Sequence, residues 1–130
     1  MNRRLVLRLS TAAVIAALLA GLVYFTPRVA PATAKTYTLA LQDGALASGP
    51  SLISVNQGDT VTLNLRSDRS GQLMIHGYEQ ELSGHEGELA VGDSGQTTLT
   101  FVATKSGRYM IHFHREDQHI EIAQIDVQPR

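Results

Sequence analysis

The chain has 130 residues, 43% of them hydrophobic, which is enough for one domain with a modest core and too few for two. It contains no cysteine, which excludes disulfides and thiolate metal ligands, and only 5% of its residues are aromatic, so Val, Leu and Ile must build the core and favour β-sheet. The net charge is −1, and residues 35 to 130 alone carry seven basic and twelve acidic side chains, a balance that argues against nucleic acid as a partner.

The first 34 residues are typical of an export segment. Three arginines precede an uncharged apolar run from Thr11 to Phe25, and residues 26 to 36 form a tether rich in Pro, Ala and Thr. The run is shorter than the roughly 20 residues that span a bilayer, although residues 9 and 10 extend it. A cleaved signal peptide, with a site at residues 32 to 34, and a retained membrane anchor both remain open. Either way, residues 35 to 130 are predicted to form a domain that is exported to the periplasm or another extracytoplasmic space.

After the tether, short alternating runs are separated by turn residues such as Gly, Asp, Asn and Ser. Their number and spacing predict an all-β sandwich or barrel, preceded by the N-terminal hydrophobic helix. The runs are YTLAL (37 to 41), SLISV (51 to 55), TVTLNLR (60 to 66), QLMIHGY (72 to 78), GELAV (87 to 91), QTTLTFVA (96 to 103), RYMIHFH (108 to 114) and IEIAQIDV (120 to 127).

Three segments, in order, resemble a cupredoxin domain over roughly residues 39 to 127. The first, ISVNQGDTVTLNLRSD, contains the Gly58-Asp59 turn. The second, MIHGYEQE, contains His76 at the position of the first copper ligand. The third, TTLTFVATKSGRYMIHFHREDQHIEIAQIDV, contains the G-x-Y motif Gly107-Arg108-Tyr109. The resemblance implies a cupredoxin-like Greek-key β-sandwich of about seven to eight strands. The His76-Gly77-Tyr78-Glu79 stretch is similar to a cysteine-free branch of the family, found mostly as exported or anchored domains.

The resemblance also excludes one function. Plastocyanin-like members place a Cys, a His and a Met after the G-x-Y strand, and this chain has Phe113, Glu116 and Glu121 at those places. A blue-copper site needs the thiolate, because that soft ligand creates its geometry and potential. Blue-copper electron transfer is therefore excluded, and His76 is the one ligand of that set that carries over.

Histidines gather near the C-terminus, and strand alternation predicts where they point. His119 is expected to fold back towards His112 and His114 across a short loop. Cupredoxin topology would bring the strand of His76 alongside the strand of His114. Imidazole suits copper, zinc and nickel, and the family analogy favours copper. The same histidines also fit a solvated strand end with no ligand. The predicted core face holds Tyr109, Ile111 and Phe113, and the opposite face holds Met110, His112 and His114.

Four more side chains have candidate roles. Met74 and Met110 share the histidine-bearing faces of their strands, where a thioether suits cuprous ion, although core gap-filling is the commoner role of methionine. His85 lies in an acidic loop and is either an auxiliary metal site or a surface residue. Glu121 is either a carboxylate ligand or a charge at a strand edge.

These observations lead to two functional hypotheses. The first is an exported domain that binds copper through His76, His114 and His119, with His112 as a substitute ligand, for storage, sensing or delivery. The second is a metal-free sandwich that acts as an adaptor or binding module for a protein of the cell envelope. The expected partners are a metal ion, an envelope protein and, if the N-terminal segment is uncleaved, the membrane. No enzymatic activity is expected, because no nucleophilic triad, carboxylate pair or phosphate loop is discernible.

Overall fold

A computed structural model describes residues 14 to 15, 29 to 82, 88 to 91 and 95 to 130, with the backbone alone for residues 88 to 91. Contacts divide the chain into two units, Met1–Ala30 and Pro31–Arg130, and every strand reported below belongs to the second. The predicted N-terminal helix, apart from Val14 and Ile15, lies outside the described residues. No helix within the described ranges is long and apolar enough to cross a membrane.

The described part of the second unit is all-β and forms two mixed sheets. One sheet has the order β2-β1-β4-β7 and the other β3-β9-β8-β5-β6, with β1 parallel to β4 and β3 parallel to β9. All other strand pairs are antiparallel. The nine strands are β1 (Ala34–Gln42), β2 (Ala45–Ser48), β3 (Leu52–Asn56), β4 (Thr60–Ser67), β5 (Gly71–Ile75), β6 (Glu88–Val91), β7 (Gln96–Val102), β8 (Gly107–Arg115) and β9 (Gln118–Gln128).

All eight predicted runs form strands, and β2 is an additional ninth. Its sequence, ALAS, is short and has little β-propensity, so alternation does not reveal it. It forms because Asp43 and Gly44, at φ of 51° and 81°, make a two-residue hairpin turn that returns the chain onto β1. The all-β sandwich is therefore confirmed for the described residues, with one strand more than the predicted seven to eight.

The core lies between the two sheets and consists mainly of branched aliphatic side chains, as the composition predicts. Leu63 and Leu65 from one sheet and Ile75 and Ile111 from the other are 1% exposed or less. Phe113 on β8 is fully buried among them. Strand alternation therefore gives one apolar face per sheet, and the outer face of β5, β8 and β9 is left for polar side chains.

A buried carboxylate ties the chain ends of the domain together. Asp59, which is 0% exposed, lies in the turn between β3 and β4. It accepts hydrogen bonds from the N–H and hydroxyl of Thr33 at 2.9 and 3.1 Å and from the N–H of Asn56 at 2.9 Å. It also forms ion pairs with Arg130 at 2.6 Å and Lys35 at 3.5 Å. The tether predicted over residues 26 to 36 thus ends earlier than expected, because Thr33 is bound here and β1 begins at Ala34.

These donors also set the charge state of Asp59. The Asn56 N–H, followed by the Thr33 N–H, holds the pKa of the carboxyl far below its ordinary value of 3.8, and the Thr33 hydroxyl and the Arg130 guanidinium add to the shift. Burial opposes it but does not dominate. The carboxylate is therefore ionised in the folded protein throughout the ordinary pH range.

Replacing Phe113 by Ala should lower the free energy of unfolding by about 3 to 5 kcal/mol, because it leaves a cavity in a packed core. Urea denaturation of the metal-free protein, followed by circular dichroism, measures the change. Val102→Ala is the matched control, since Val102 is 43% exposed on β7, and it should change stability by only about 0.5 kcal/mol. A near-neutral result for Phe113→Ala would contradict the packing of this face of β8.

Asp59 should make the domain acid-sensitive. In the unfolded chain the carboxyl binds a proton near pH 4, whereas in the folded chain it does so only at much lower pH. Its stabilisation is therefore present above about pH 4 and is lost as the pH falls below that value. We expect Asp59→Asn to reduce the melting temperature at pH 7 and to flatten its decline between about pH 5 and pH 2. The exposed Asp117→Asn variant serves as the control and should keep the wild-type profile.

Candidate metal site

Strand β8 presents histidines on its outer face because its inner face is apolar. Ile111 and Phe113 are 0% exposed, while His112 and His114 are half-buried on the opposite face and Met110 is 40% exposed. Tyr109 is partly buried and packs against the core. The predicted division of this strand into a core face and a histidine face is confirmed.

The first pair of histidines joins β8 to the end of β5. The two strands are antiparallel neighbours with Met74 opposite His112, and the N–H of His76 donates to the Met110 carbonyl at 3.1 Å. The Nε2 of His76 lies 3.2 Å from the Nδ1 of His112, and the rings are nearly perpendicular with centroids 4.6 Å apart. His76 therefore lies beside the predicted strand, but its ring contacts His112 and not His114.

The second pair closes the hairpin between β8 and β9. Residues Glu116 and Asp117 form the turn, with Glu116 at φ 51°, and the turn places His119 directly opposite His114. The Nδ1 of His119 lies 3.0 Å from the Nε2 of His114, with ring centroids 4.0 Å apart. His119 thus returns to the other histidines through strand pairing instead of through a loop.

Together His76, His112, His114 and His119 form a continuous line on one sheet face, here called the histidine row. The two pairs are linked by His112 and His114, whose ring centroids are 6.3 Å apart. Within the described ranges, no three or more His, Cys, Asp or Glu side chains are grouped so that they could hold one ion. The row therefore consists of two imidazole pairs.

The spacing within each pair suits a shared ion. Two imidazole nitrogens bound tetrahedrally at about 2.0 to 2.1 Å from a metal lie about 3.3 Å from each other. The observed separations of 3.2 and 3.0 Å need little change to reach that value. Without a metal, each contact is a hydrogen bond in which one ring nitrogen donates and the other accepts.

Electrostatics favour the neutral form of one member of the row. Partial burial lowers the pKa of His112, and the charges of His76, His114 and His119 lower it further, while the Glu121 carboxylate acts in the opposite direction. Glu121 lies opposite His112 on β9. A neutral imidazole is the form that binds a metal ion, so the environment of His112 favours ligation at neutral pH.

The residues after His76 hold the strand end in place. Tyr78 is 0% exposed, and its hydroxyl donates to the Lys105 carbonyl at 3.0 Å and accepts from the Lys105 N–H at 3.2 Å. Gly77 has φ 87°, and a Cβ there would lie 2.6 Å from the ring of Tyr109. Glu79 accepts from the Gly77 N–H at 2.8 Å. Burial raises the pKa of Tyr78. The HGYE stretch thus has a structural role next to His76.

The plastocyanin ligand positions have other roles in this chain. Phe113 is in the core, and Glu116 is an exposed turn residue. Glu121 is on the outer face of β9 and accepts a hydrogen bond from the Gln124 amide at 2.7 Å. His85, considered as an auxiliary site, lies outside the described residues.

Sequence reasoning missed the contact between His76 and His112, although a signal for it exists. The tripeptide Met-Ile-His occurs twice, at residues 74 to 76 and 110 to 112. The two copies are antiparallel neighbours, with Ile75 opposite Ile111. Aligning the repeated tripeptides would have placed the two histidines on one face and diagonal to each other.

No protein-family model matches the sequence, and no curated protein matches it. Solved structures do share the fold. The multi-copper oxidase from Pseudomonas thermotolerans superposes with a TM-score of 0.59 at 15% identity, over 77% of this chain and 31% of that one. The copper nitrite reductase from Nitrosomonas europaea superposes with a TM-score of 0.54 at 18% identity, over 75% of this chain and 41% of that one. The chain thus spans less than half the length of either enzyme.

A third structure matches over its whole length. One chain of a heme-copper terminal oxidase dimer superposes with a TM-score of 0.56 at 14% identity, over 97% of this chain and 100% of that one. Such identities establish the fold alone. With the two packed sheets, they define the domain as a cupredoxin-like β-sandwich, the architecture found in domains of multicopper oxidases and copper nitrite reductase.

The pKa of His112 is open to a direct test by NMR titration of the metal-free protein. We expect a value below 6.5, because burial and the neighbouring histidines disfavour the charged ring. His76→Ala should raise this value, and Glu121→Gln should lower it further. Because His112 binds a proton less readily in the folded protein than in the unfolded chain, its contribution to the free energy of unfolding is present above about pH 6.5 and declines below it. Shifts of the same sign in both variants would contradict this account.

Proposed function

We propose that the domain binds copper through the histidine row, without electron transfer of the blue-copper type. The observation that carries the proposal is the pairing of four imidazoles into two contacts of 3.2 and 3.0 Å on one sheet face. His76 and His119 are exposed, and their partners are half-buried, so an ion reaches the row directly from solvent. Water molecules would complete the coordination of an ion held by one pair.

Copper is the metal that this proposal favours. Imidazole binds copper, zinc and nickel, and for divalent ions the intrinsic order of affinity places copper highest. The similar folds of copper oxidases and a copper reductase support the same choice by analogy. The chain has no cysteine for a blue-copper centre, so a bound ion would be handled for storage, sensing or delivery.

The domain is also proposed to act outside the cytoplasm. The N-terminal arginines and apolar run support export of the domain to the periplasm or another extracytoplasmic space. If that segment is retained, it anchors the domain at the membrane and keeps the histidine row close to envelope proteins. The domain is proposed to act without catalysis, with the metal ion as its ligand.

A second candidate function is a metal-free adaptor. The observation that favours it is the match over the whole length of a chain in a heme-copper terminal oxidase dimer. Such a chain would act by contact with a redox complex, and the histidines would be solvated surface residues. The copper experiment below separates the two candidates, because the adaptor needs no metal affinity.

Titration of the full chain in detergent with cupric ion, against a competing chelator, tests the copper proposal. Replacing all four histidines of the row by Ala should abolish stoichiometric binding, because imidazole supplies the ligands. The far-ultraviolet circular dichroism of the metal-free protein should remain unchanged, since these rings lie outside the core. Only the neutral imidazole binds a metal ion, so the copper affinity of the wild type should fall as the pH drops through about 6.5.

His85→Ala is the matched control, because it removes the one histidine of the sequence that does not belong to the row, and it should bind copper as the wild type does. Undiminished binding by the fourfold variant would place the site elsewhere. A wild-type chain that never competes with the chelator would favour the adaptor. The complex should also be free of an intense thiolate absorption band.

A further inference from the structure

The repeated tripeptide Met-Ile-His brings sulfur next to the first histidine pair. Met74 and His76 belong to one copy, at the end of β5, and Met110 and His112 belong to the other, on β8. Within each copy the isoleucine points to the core and is 0% exposed. Alternation therefore directs the methionine and the histidine of each copy to the same outer face.

Antiparallel pairing arranges these four side chains as a square. Met74 lies directly opposite His112, and the backbone hydrogen bond from His76 to Met110 joins the two strands again two residues further along, beyond the pair of Ile75 and Ile111. Directly opposite residues in such a ladder have Cβ atoms about 4.5 to 5.5 Å apart. The two histidines occupy one diagonal of the square and are in contact, and the two methionines occupy the other.

The methionines are available to a ligand. Met110 is 40% exposed and Met74 is half-buried, and neither belongs to the buried core. The core gap-filling role that sequence reasoning favoured for them is therefore not the role they have. Each side chain is flexible and carries a soft thioether, and the backbone positions of Met74 and Met110 flank those of His76 and His112 on the same outer face.

We propose that Met74 and Met110 join His76 and His112 in a two-sulfur, two-nitrogen site that selects cuprous ion. This inference rests on the proposed copper function and assigns the oxidation state that one end of the histidine row prefers. Thioether sulfur is a soft ligand that favours cuprous copper, whereas harder oxygen ligands favour divalent ions. All four donors belong to two neighbouring strands and to one outer face, and the two imidazoles among them are already in contact.

The other end of the row has a different chemistry. His114 lies opposite Gln72 on β5 and opposite His119 on β9, so its cross-strand neighbours supply nitrogen and amide groups and no sulfur. The two pairs thus differ in softness although they contain the same imidazoles. We expect cuprous ion to prefer the methionine square and cupric ion to bind both ends of the row.

Glu121 is the competing donor at the square. It lies opposite His112 on β9, and its carboxylate would favour a divalent ion. It already accepts the Gln124 amide at 2.7 Å, so it is engaged along its own strand. A carboxylate contribution predicts a loss of cupric affinity on Glu121→Gln, whereas the sulfur site predicts a loss of cuprous affinity on methionine replacement.

The test is an oxygen-free titration of the full chain in detergent with cuprous ion, against a cuprous chelator. Met74→Leu with Met110→Leu should weaken cuprous affinity at least tenfold and change cupric affinity by less than twofold. Leu keeps the volume and apolar character of Met, so the fold is maintained. Gln72→Leu is the matched control, since it introduces the same residue on β5 two positions before Met74. It should leave cuprous affinity unchanged.

X-ray absorption of the cuprous complex gives an independent reading. Copper–sulfur scattering should be present in the wild type and absent from the double methionine variant. Unchanged cuprous affinity in that variant, or a wild-type spectrum with nitrogen neighbours alone, would overturn the sulfur site. If replacement of all four histidines of the row by Ala still abolishes copper binding in that case, the proposed copper function stands; if the fourfold variant binds copper undiminished, that function fails as well.

Discussion

The buried carboxylate of Asp59 is the constraint on which the two-sheet arrangement depends. Its side chain binds three parts of the chain: Thr33, which lies just before β1; Asn56, at the end of β3; and Arg130, which follows β9. Its backbone carbonyl also accepts the N–H of Ala103, just after β7. A single ionised group therefore fixes elements of both sheets at one end of the sandwich. A buried charge with this many donors is stable, while the same charge without them would be costly.

Strand positions and faces were predictable because alternation is a local property of the chain. The buried faces of β4 and β8 follow directly from their residue order, and so does the outward direction of His112 and His114. The short strand β2 was not predictable, since its existence depends on a turn and on pairing with β1. The role of Asp59 was also hidden, because a Gly-Asp turn is common and its partners are distant in sequence.

The candidate site was predictable in composition but not in its pairing. Sequence reasoning brought His76, His112 and His114 to neighbouring strands and His119 back to them across a loop, yet it could not fix which rings touch, because that depends on strand register. The register places His76 two residues beyond Met74 on the same face, and this offset sets the diagonal contact with His112. The same offset explains why the methionines lie beside the histidines. A difference of two residues in register would have placed His76 directly opposite His112, and a difference of four would have placed it opposite His114.

The register of β8 and β9 shifts at one point, between Ile111 and His112, where the consecutive residues Ile122 and Ala123 are both buried. This is the signature of a β-bulge, which gives β9 one residue more than its partner. The bulge divides the hairpin into a base that ends at Ile111 and a tip that carries His112 and His114 on its outer face and Phe113 in the core. Sequence changes on the outer face of the tip leave the register of the base unaltered, whereas Phe113 ties the inner face of the tip to the core. The tip is therefore a part of the sandwich whose outer side chains can vary while its inner side chain cannot.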